Sequence, residues 1–254
     1  MWDPDRYLTF AAQRGRPFTD LIAQVDAADP ATAVDLGCGP GNLTVTLARR
    51  WPTARVTGVD SSAEMINKAS VHQGIEWVEA DLRTWEPDAP VDLLISNATF
   101  QWVPGHLADF SRLIDFVAPG GWFAFQVPGN FGEPSHVLLR EAMAAPRWRE
   151  RFTDVTLPAS HHPVEYLDAL AAAGLVAIDA WETTYYHVLT GDDPVLNWVS
   201  GTALRPVLAT LDEVEQEAFL DPYAAALRKA YPHREDGTVV LPYRRIFAVG
   251  RKPR

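Results

Sequence analysis

Glycine recurs at every second position of one short stretch, after an aspartate: Asp35, Gly37, Gly39 and Gly41. The stretch follows an apolar run at 33–36 that predicts a buried strand, and it precedes a predicted helix at 42–50. Glycine permits a sharp turn and lets a ligand approach the bare backbone, while the N-terminus of a helix presents unpaired N–H groups. The residues therefore predict a binding site for a small ligand at one corner of an α/β sheet.

The glycine spacing distinguishes between two kinds of nucleotide site. A dinucleotide fingerprint, G-x-G-x-x-G, requires glycine where this chain has Asn42, so an NAD-dependent oxidoreductase is disfavoured. The acid-x-Gly-x-Gly-x-Gly pattern instead resembles motif I of the class I S-adenosylmethionine-dependent methyltransferases. In that family the acid and the glycine turn face the methionine part of the cofactor. The resemblance implies the same role for the stretch that begins at Asp35.

Two more aspartates come at the ends of predicted strands. Asp60 ends the strand at 55–60, where a fixed carboxylate can accept two hydrogen bonds from a ribose diol. Asp81 follows the strand at 75–79, and the resemblance implies that it and Leu82 border the adenine. Because parallel strands share one carboxyl edge, these acids are expected together there. The residues that we expect at the cofactor are Asp35, Gly37, Gly39, Gly41, Asp60, Ser61, Asp81, Leu82, Asn97 and Arg14.

The elements that must position these residues form an α/β pattern. Apolar or alternating runs predict strands at 33–36, 55–60, 75–79, 91–97, 122–130, 175–186 and 244–250. A turn is expected at 117–121 and helices across 134–175. The family resemblance implies a Rossmann-like, seven-stranded, mostly parallel sheet of order 3-2-1-4-5-7-6. Its last strand is expected to be antiparallel, with helices on both faces.

We expect one domain over 1–254, because a chain of this length can bury a single sizeable core. Residues 1–30 have helical spacing, and the resemblance suggests that they form a lid over the cofactor. Residues 31–186 are assigned to the core sheet and 241–254 to the final strand. The intervening 187–240 is too long for a hairpin loop and has helical character. We therefore expect it to form a cap that determines substrate specificity.

Other segments extend the resemblance to a narrower family, the trans-aconitate 2-methyltransferases, over nearly the whole chain. These segments are Trp2-Asp3-Pro4-x-x-Tyr7, Asn97-Ala98-x-x-Gln101-Trp102, Gln126-Val127-Pro128-x-Asn130, Val195-x-x-Trp198-Val199-x-Gly201 and Leu241-Pro242-Tyr243-Arg244-Arg245. The family converts one carboxylate of a tricarboxylate to its methyl ester. A carboxylate with a pKa of about 4 is already ionised at pH 7, so the resemblance implies direct transfer with no general base.

Under this reading the protein contributes alignment, exclusion of water and compensation of charge. We predict no residue that acts as acid, base or nucleophile, and we expect Asn97, Gln101 and Trp102 to align the reactants. Arginine can meet a carboxylate with two parallel hydrogen bonds, which favours arginines among the substrate contacts. The residues predicted to bind the substrate are Gln101, Trp102, His187, Arg205 and Arg245.

Two other functions stay open at this point. One is a class I methyltransferase that acts on a phenol, a quinone precursor or an amine. A phenol acceptor would need a general base, so activity would rise across about pH 7–9. The other is a catalytically silent module that binds the cofactor and regulates a partner, for which tight cofactor binding without turnover would be the signature.

Composition narrows the partners and the location. A net charge of −11 argues against a nucleic-acid substrate, since phosphate binding needs a basic face. No apolar run is long enough to span a membrane and the N-terminus lacks signal-peptide features, so we expect a cytoplasmic protein. No group of residues has the spacing of metal ligands, so no metal is expected. We expect a monomer or a weak homodimer that acts on a small polycarboxylate.

Overall fold

The computed structural model describes residues 11–254 of the chain, with side chains from Gly15 onward. The N-terminal motif at 2–7 and the side chain of Arg14 lie outside the described residues. The chain divides into two compact units. The first, here called the sheet unit, comprises 14–127, 160–183 and 245–254. The second, the helical unit, has 128–159 and 184–244 as its main described ranges.

The strands form one seven-stranded sheet of order β3-β2-β1-β4-β5-β7-β6, as predicted. Their bounds are β1 Thr32–Leu36, β2 Arg55–Asp60, β3 Glu76–Glu79, β4 Val91–Asn97, β5 Val117–Pro128, β6 Val176–Leu189 and β7 Val239–Arg251. Strands β3, β2, β1, β4 and β5 pair in parallel along that order. The N–H of Gly120 donates to the oxygen of Lys252 and the N–H of Gly129 to that of Arg244, so β7 runs antiparallel to β5. The predicted fold class is confirmed.

Helices alternate with these strands along the chain. Their bounds are α1 Ala11–Ala23, α2 Thr44–Arg50, α3 Ala63–Ala69, α4 Phe110–Asp115, α5 Pro134–Ala144, α6 Pro163–Ala172, α7 Pro194–Ser200, α8 Arg205–Leu208 and α9 Glu213–Ala230. Two 3₁₀ turns, Phe100–Trp102 and His106–Asp109, follow β4. No helix in the described part of the chain combines the length and the apolar character that crossing a membrane requires.

Two expectations about these elements were wrong. The predicted turn at 117–121 lies inside β5, because Val117 already pairs with Val91 and the extra residues form an irregularity before Trp122 pairs with Leu93. The predicted helical region 134–175 is interrupted, since no helix or strand is assigned at 145–162. Both errors come from local sequence signals that pairing and packing between distant segments override.

Each unit has its own hydrophobic core. In the sheet unit, rings pack edge-on around one face of the sheet, with Phe100 and Phe125 at 5.5 Å and Phe110 and Phe123 at 5.5 Å between centroids. In the helical unit, Phe219 of α9 packs edge-on against Trp148 and Phe152. Burial of each such side chain contributes on the order of 1.5–3 kcal/mol. The sheet that positions the candidate site is thus held by aromatic packing on one face.

Candidate functional site

The strand register places four predicted or neighbouring polar positions in one row at the carboxyl edge of the sheet. Leu36 pairs with Val59 on one side and with Ser96 on the other, and Asn97 pairs with Gln126. Asp60 follows Val59 at the end of β2, and Gly37 follows Leu36 directly after β1. The row therefore consists of Asp60, Gly37, Asn97 and Gln126. Residues paired in a parallel sheet share a face, and successive residues alternate faces. The row therefore faces away from the Phe123 and Phe125 core.

The three glycines of the turn all adopt left-handed backbone conformations, with φ of +75° at Gly37, +56° at Gly39 and +76° at Gly41. A Cβ at Gly37 would lie 2.1 Å from Thr99 Oγ1, and a Cβ at Gly41 would lie 2.5 Å from the Trp77 ring. A Cβ at Gly39 would meet no atom within 4 Å. The outer two glycines are thus required by packing within the protein, whereas the backbone at Gly39 is open to a ligand.

The carboxylate of Asp60 holds this turn. Its Oδ2 accepts a hydrogen bond from the Gly39 N–H at 2.9 Å, and its Oδ1 accepts one from the Ser62 N–H at 2.9 Å. Each carboxylate oxygen has a second lone-pair site, so Asp60 can also accept from a pair of ligand hydroxyls. Ser61 lies exposed beside it. The geometry at Asp60 and Gly39 therefore fits the ribose side of a nucleoside-containing cofactor.

Asp35 lies deeper than the glycines that follow it. Its side chain is only 2% exposed, and its Oδ2 accepts a hydrogen bond from Thr44 Oγ1 at 2.6 Å. Burial raises the pKa of Asp35 to about 7; the Thr44 hydrogen bond opposes that shift and the Asp60 charge adds to it. Asp35 thereby links the end of β1 to the first residue of α2. With a pKa of about 7, its carboxyl group changes its charge around neutral pH.

Asp81 and Leu82 follow β3 at the same edge. Asp81 accepts hydrogen bonds from the Arg83 guanidinium and from the Arg83 N–H, which lower the pKa of Asp81 to about 2. Leu82 is buried against the aromatic core, and its carbonyl accepts from the Arg112 guanidinium at 2.7 Å. The backbone hydrogen bond from Ala80 N–H to the Asp60 oxygen places this segment next to the row.

The loop after β4 begins with a non-glycine residue in the left-handed region, Ala98, with φ of +54°. Its N–H donates to the Gln126 carbonyl at 2.8 Å, and its carbonyl accepts from Gln101 Nε2 at 2.5 Å. Thr99 Oγ1 donates to the Gly37 carbonyl, which links this loop to the glycine turn. Trp102 is 44% exposed beside them. The loop that carries Asn97, Gln101 and Trp102 is therefore fixed to both neighbouring strand ends.

Buried amide atoms at this end of the row have no hydrogen-bond partner among the described residues. They are Asn97 Oδ1, Gln101 Oε1 and both the Nε2 and Oε1 of Gln126. Sequence reasoning did not single out Gln126 as a site residue. The Gln126-Val127-Pro128-x-Asn130 segment indicates the family but assigns no role to Gln126. That Gln126 is buried without a hydrogen-bond partner follows only from the folded structure.

The predicted substrate residues are distributed over both units. Gln101, Trp102 and Arg245 belong to the sheet unit, and His187 and Arg205 to the helical unit. Arg245 is 5% exposed, and it alternates on β7 with Ile246, which belongs to the Phe123 and Phe125 core, so Arg245 lies on the Gln126 face.

In the helical unit, His187 is buried and stacks on Trp198, with ring centroids 4.6 Å apart. Arg205 is exposed at the start of α8. Within the described residues, no group of three or more His, Cys, Asp or Glu side chains is arranged to hold a metal ion.

Comparison with known proteins connects this geometry to a family. A family model described as a methyltransferase domain matches residues 33–121. The trans-aconitate 2-methyltransferase of Streptomyces avermitilis is 53% identical over 262 residues, which cover 99% of this chain and 97% of that protein. The same enzyme of Rhodococcus jostii is 48% identical over 252 residues, which cover 98% of each chain.

A solved structure shows the same fold at low identity. Phosphoethanolamine N-methyltransferase 2 of Haemonchus contortus, in complex with S-adenosyl-L-methionine, aligns with a TM-score of 0.57 and 15% identity. The alignment covers 94% of this chain and 53% of that one. The likeness extends over nearly the whole chain, so it is not confined to the glycine turn.

Proposed function

We propose that this chain, which belongs to the trans-aconitate 2-methyltransferase family, transfers a methyl group from S-adenosylmethionine to one carboxylate of trans-aconitate and so forms a monomethyl ester. The observation that carries the proposal is identity of about half of all residues over nearly the full length of both chains. The glycine turn and Asp60 support the cofactor, since an open backbone and a fixed carboxylate suit the ligand that such an enzyme needs.

When bound, the cofactor supplies an electrophilic methyl group on a sulfonium. We propose that the Asp60 carboxylate binds the ribose of the cofactor and that the Gly39 backbone contacts the cofactor directly. The segment at Asp81 and Leu82 is proposed to border the adenine. Gly37 and Gly41 shape the turn, and Asp35 secures it to α2 through Thr44. Ser61, Asn97 and Arg14 complete the proposed cofactor set. The hydrogen bonds that Asp60 makes to Gly39 and Ser62 fix these positions within the protein itself.

The acceptor carboxylate needs no general base, because a carboxylate with a pKa of about 4 is ionised at neutral pH. The work left to the protein is orientation, and holding two reactants in line contributes about 7–11 kcal/mol to such reactions. We assign orientation to Asn97, Gln101 and Trp102, which the Ala98 hydrogen bonds hold against the neighbouring strand ends.

The other carboxylates of the substrate need cationic partners, and we propose Arg205 and Arg245 for this role. Arg245 is buried, so the pairing would be little screened by solvent. His187, held in its stack with Trp198, is a further proposed contact. We also propose that residues 187–240, which contain Arg205 and His187, determine substrate specificity. The site of action is proposed as the cytoplasm, with the chain as a monomer or weak homodimer and with no nucleic acid involved.

The direct test measures methyl transfer from labelled S-adenosylmethionine to trans-aconitate, with cis-aconitate, phenols and amines as comparison acceptors. We expect turnover chiefly on trans-aconitate, without the rise in rate across about pH 7–9 that a general base would give, because no base must lose a proton. Turnover on a phenol with a rate that climbs across that range would replace the proposed acceptor. Cofactor binding with no turnover on any acceptor would favour the silent module.

A pair of arginine variants tests the substrate anchors. Arg205→Ala should raise the KM for trans-aconitate about 10- to 100-fold, since a charged hydrogen bond contributes about 1.5–3 kcal/mol. Arg149→Ala is the matched control, because Arg149 is also exposed in the helical unit. We expect the control to keep its KM. Equal KM values for the two variants would remove Arg205 from the substrate site.

A further inference from the structure

Gln126 is a buried amide whose polarity no contact within the described residues explains. It lies near the end of β5 and is 1% exposed, and neither its Nε2 nor its Oε1 has a hydrogen-bond partner among the described residues. Buried polar side chains are normally satisfied, because an unpaired amide loses its hydration without compensation. A leucine or methionine would fill the same space at lower cost. The two polar atoms of Gln126 are therefore available for a contact with a group outside the described residues.

Ser96, a buried polar residue on the adjacent strand, provides a comparison, because its hydrogen bond lies within the sheet. Ser96 is also 1% exposed, and its Oγ donates to the Leu36 carbonyl at 2.8 Å. Ser96 pairs with Phe125, and Asn97 pairs with Gln126, so the two pairs are adjacent in the sheet but lie on opposite faces. The Ser96 hydroxyl, on the core face, is thus satisfied within the sheet, whereas the Gln126 amide, on the opposite face, has no partner among the described residues.

The position of Gln126 in the row separates it from Asp60 and Gly37, which are proposed for the ribose side of the cofactor. The row runs Asp60, Gly37, Asn97 and Gln126 across β2, β1, β4 and β5. Neighbouring strands lie about 4.8 Å apart, so Gln126 is about 10 Å from Gly37 and about 14 Å from Asp60 at the backbone. Within the row, Asp60 and Gly37 are proposed for the cofactor alone, whereas Asn97, which pairs with Gln126, is proposed both for the cofactor and for alignment of the reactants. A ligand that reaches Gln126 lies at the opposite end of the row.

The chemistry of the row decides which ligand that is. Gln101 is oriented by the hydrogen bond from its Nε2 to the Ala98 carbonyl, so its buried Oε1 is an acceptor and is unsuited to a carboxylate. The orienting role that we propose for Gln101 therefore does not include a hydrogen bond from this oxygen to a substrate carboxylate. A polycarboxylate has only acceptor oxygens at neutral pH and needs donors. Gln126 provides two N–H donors from Nε2, and Arg245 lies on the same face of the sheet.

We propose that Gln126 binds the acceptor substrate by donating from Nε2 to one of its carboxylates. This assignment rests on the proposed function, whose methyl acceptor is a tricarboxylate. It adds a neutral donor that the arginine anchors cannot replace, because an amide places a hydrogen bond without adding charge beside the reacting carboxylate. The unpaired amide is thus a cost to stability that binding of the substrate offsets.

The test compares Gln126→Met, which keeps the volume and removes the hydrogen bonds, with Gln126→Glu, which adds a charge that repels a carboxylate. Three quantities are measured on each full-length variant: the KM for trans-aconitate, the Kd of S-adenosylmethionine by calorimetry, and the Tm. For Gln126→Met we expect a KM raised about 10- to 100-fold, a cofactor Kd within about two-fold of the parent, and an unchanged or higher Tm. Gln126→Glu should raise the KM further.

Ser96→Ala is the matched control, since it removes a buried polar group that has a partner inside the sheet. It should lower the Tm by about 2–4 °C and leave the KM unchanged. If Gln126→Met instead lowered the Tm as Ser96→Ala does and kept the KM, Gln126 would be structural and the proposal wrong. A change in cofactor Kd with no change in KM would assign Gln126 to the cofactor and also overturn it.

Failure of the proposed function gives a different result, which the parent protein reveals before any variant is made. A parent that binds S-adenosylmethionine and does not methylate trans-aconitate would refute the proposed function and, with it, the carboxylate contact of Gln126. A parent that methylates trans-aconitate confines every later failure to the Gln126 assignment.

Discussion

The two ends of the polar row at the carboxyl edge differ in how their polar groups are satisfied. At the glycine end, Asp60 accepts from the Gly39 and Ser62 N–H groups and Asp35 accepts from Thr44. At the amide end, buried atoms of Asn97, Gln101 and Gln126 have no partner among the described residues. Both ends lie within the sheet unit and on the same sheet.

This difference corresponds to two ways of building a binding site. The cofactor contacts that we propose at the glycine end are preorganised, because hydrogen bonds within the protein already fix the Asp60 carboxylate and the Gly39 backbone. In our proposal, the buried polar atoms at the amide end form hydrogen bonds only when the ligand binds, so the free protein is less stable than it would be with apolar side chains there. Removing a polar group should therefore weaken both binding and stability at the glycine end, and should weaken only binding at the amide end.

The largest effect is expected at the glycine end, from Asp60→Ala. The substitution removes the two hydrogen bonds that we propose between the ribose hydroxyls and the Asp60 carboxylate, each of which contributes about 1.5–3 kcal/mol. We expect the Kd of S-adenosylmethionine, measured by calorimetry, to rise at least about 100-fold. The free energy of unfolding should also fall, since the Gly39 and Ser62 N–H groups lose their acceptor.

Asp92→Ala provides a control for that loss of stability. Asp92 Oδ2 accepts from the N–H groups of Ala31 and Thr32 at 2.8 and 3.0 Å, at the other end of β1. This variant should be destabilised in a similar way and bind the cofactor normally. A cofactor Kd that shifts equally in the two variants would mean that Asp60 acts only through folding.

The second prediction concerns the pH dependence that Asp35 imposes. Burial raises its pKa to about 7 in the folded protein, whereas an unfolded aspartate titrates at about 3.9. Between these values the native state holds a proton that the unfolded state has lost. The contribution of Asp35 to the free energy of unfolding should therefore fall as pH rises from about 4 to 7, by at most about 1.4 kcal/mol per pH unit, and level off above. Burial lowers the pKa of His136 to about 4, which gives a contribution of the opposite sign, so the Asp35 contribution is measured as a difference between parent and variant.

Asp35→Asn removes this titration, so the stability of the variant should rise relative to that of the parent as pH increases from about 4 to 7. Urea unfolding of the cofactor-free parent and variant across that range measures both slopes. Thr44→Val, which deletes the hydrogen bond that stabilises the charged form, should extend the falling region to higher pH. Equal slopes in the parent and in Asp35→Asn would contradict the assignment to Asp35.

The sequence predicted the glycine end better than the amide end, for physical reasons. Strands β2 and β4 match their predicted bounds, because short apolar runs bounded by turn residues specify them locally. The turn at 117–121 became part of β5, since pairing with β4 outweighs the local preference of Pro119 and Gly120. Strand β7 also begins earlier than predicted, at Val239 and not at residue 244.

The site residues also differ in whether a local sequence pattern reveals them. Asp60 and the glycines are separated by a fixed spacing that a strand-turn-helix unit imposes, so the sequence reveals them. The burial of Gln126 without a partner depends on what β4 and β7 place around it, and no local pattern carries that information. The left-handed Ala98 is equally hidden, because alanine gives no sequence signal for positive φ.

The smallest predicted effect comes from relieving that strain. Ala98 has φ of +54°, which costs an L-residue about 1–2 kcal/mol, and glycine avoids this cost while losing about 0.5–1 kcal/mol through the flexibility of the unfolded chain. Ala98→Gly should therefore raise the Tm by no more than about 2–4 °C. Its backbone also holds Gln101 and Gln126, so a looser residue should raise the KM for trans-aconitate about two- to five-fold.

Ala177→Gly separates the two consequences, because Ala177 has φ of +49° at the start of β6, in the same unit and far along the chain from the row. It should gain a similar increment of Tm, and its KM should equal that of the parent. If the two glycine variants had the same KM, the strain at Ala98 would be incidental to binding. If only Ala98→Gly changed the KM, the strained residue would join the three amides as a part of the amide end that gives up stability to hold the acceptor.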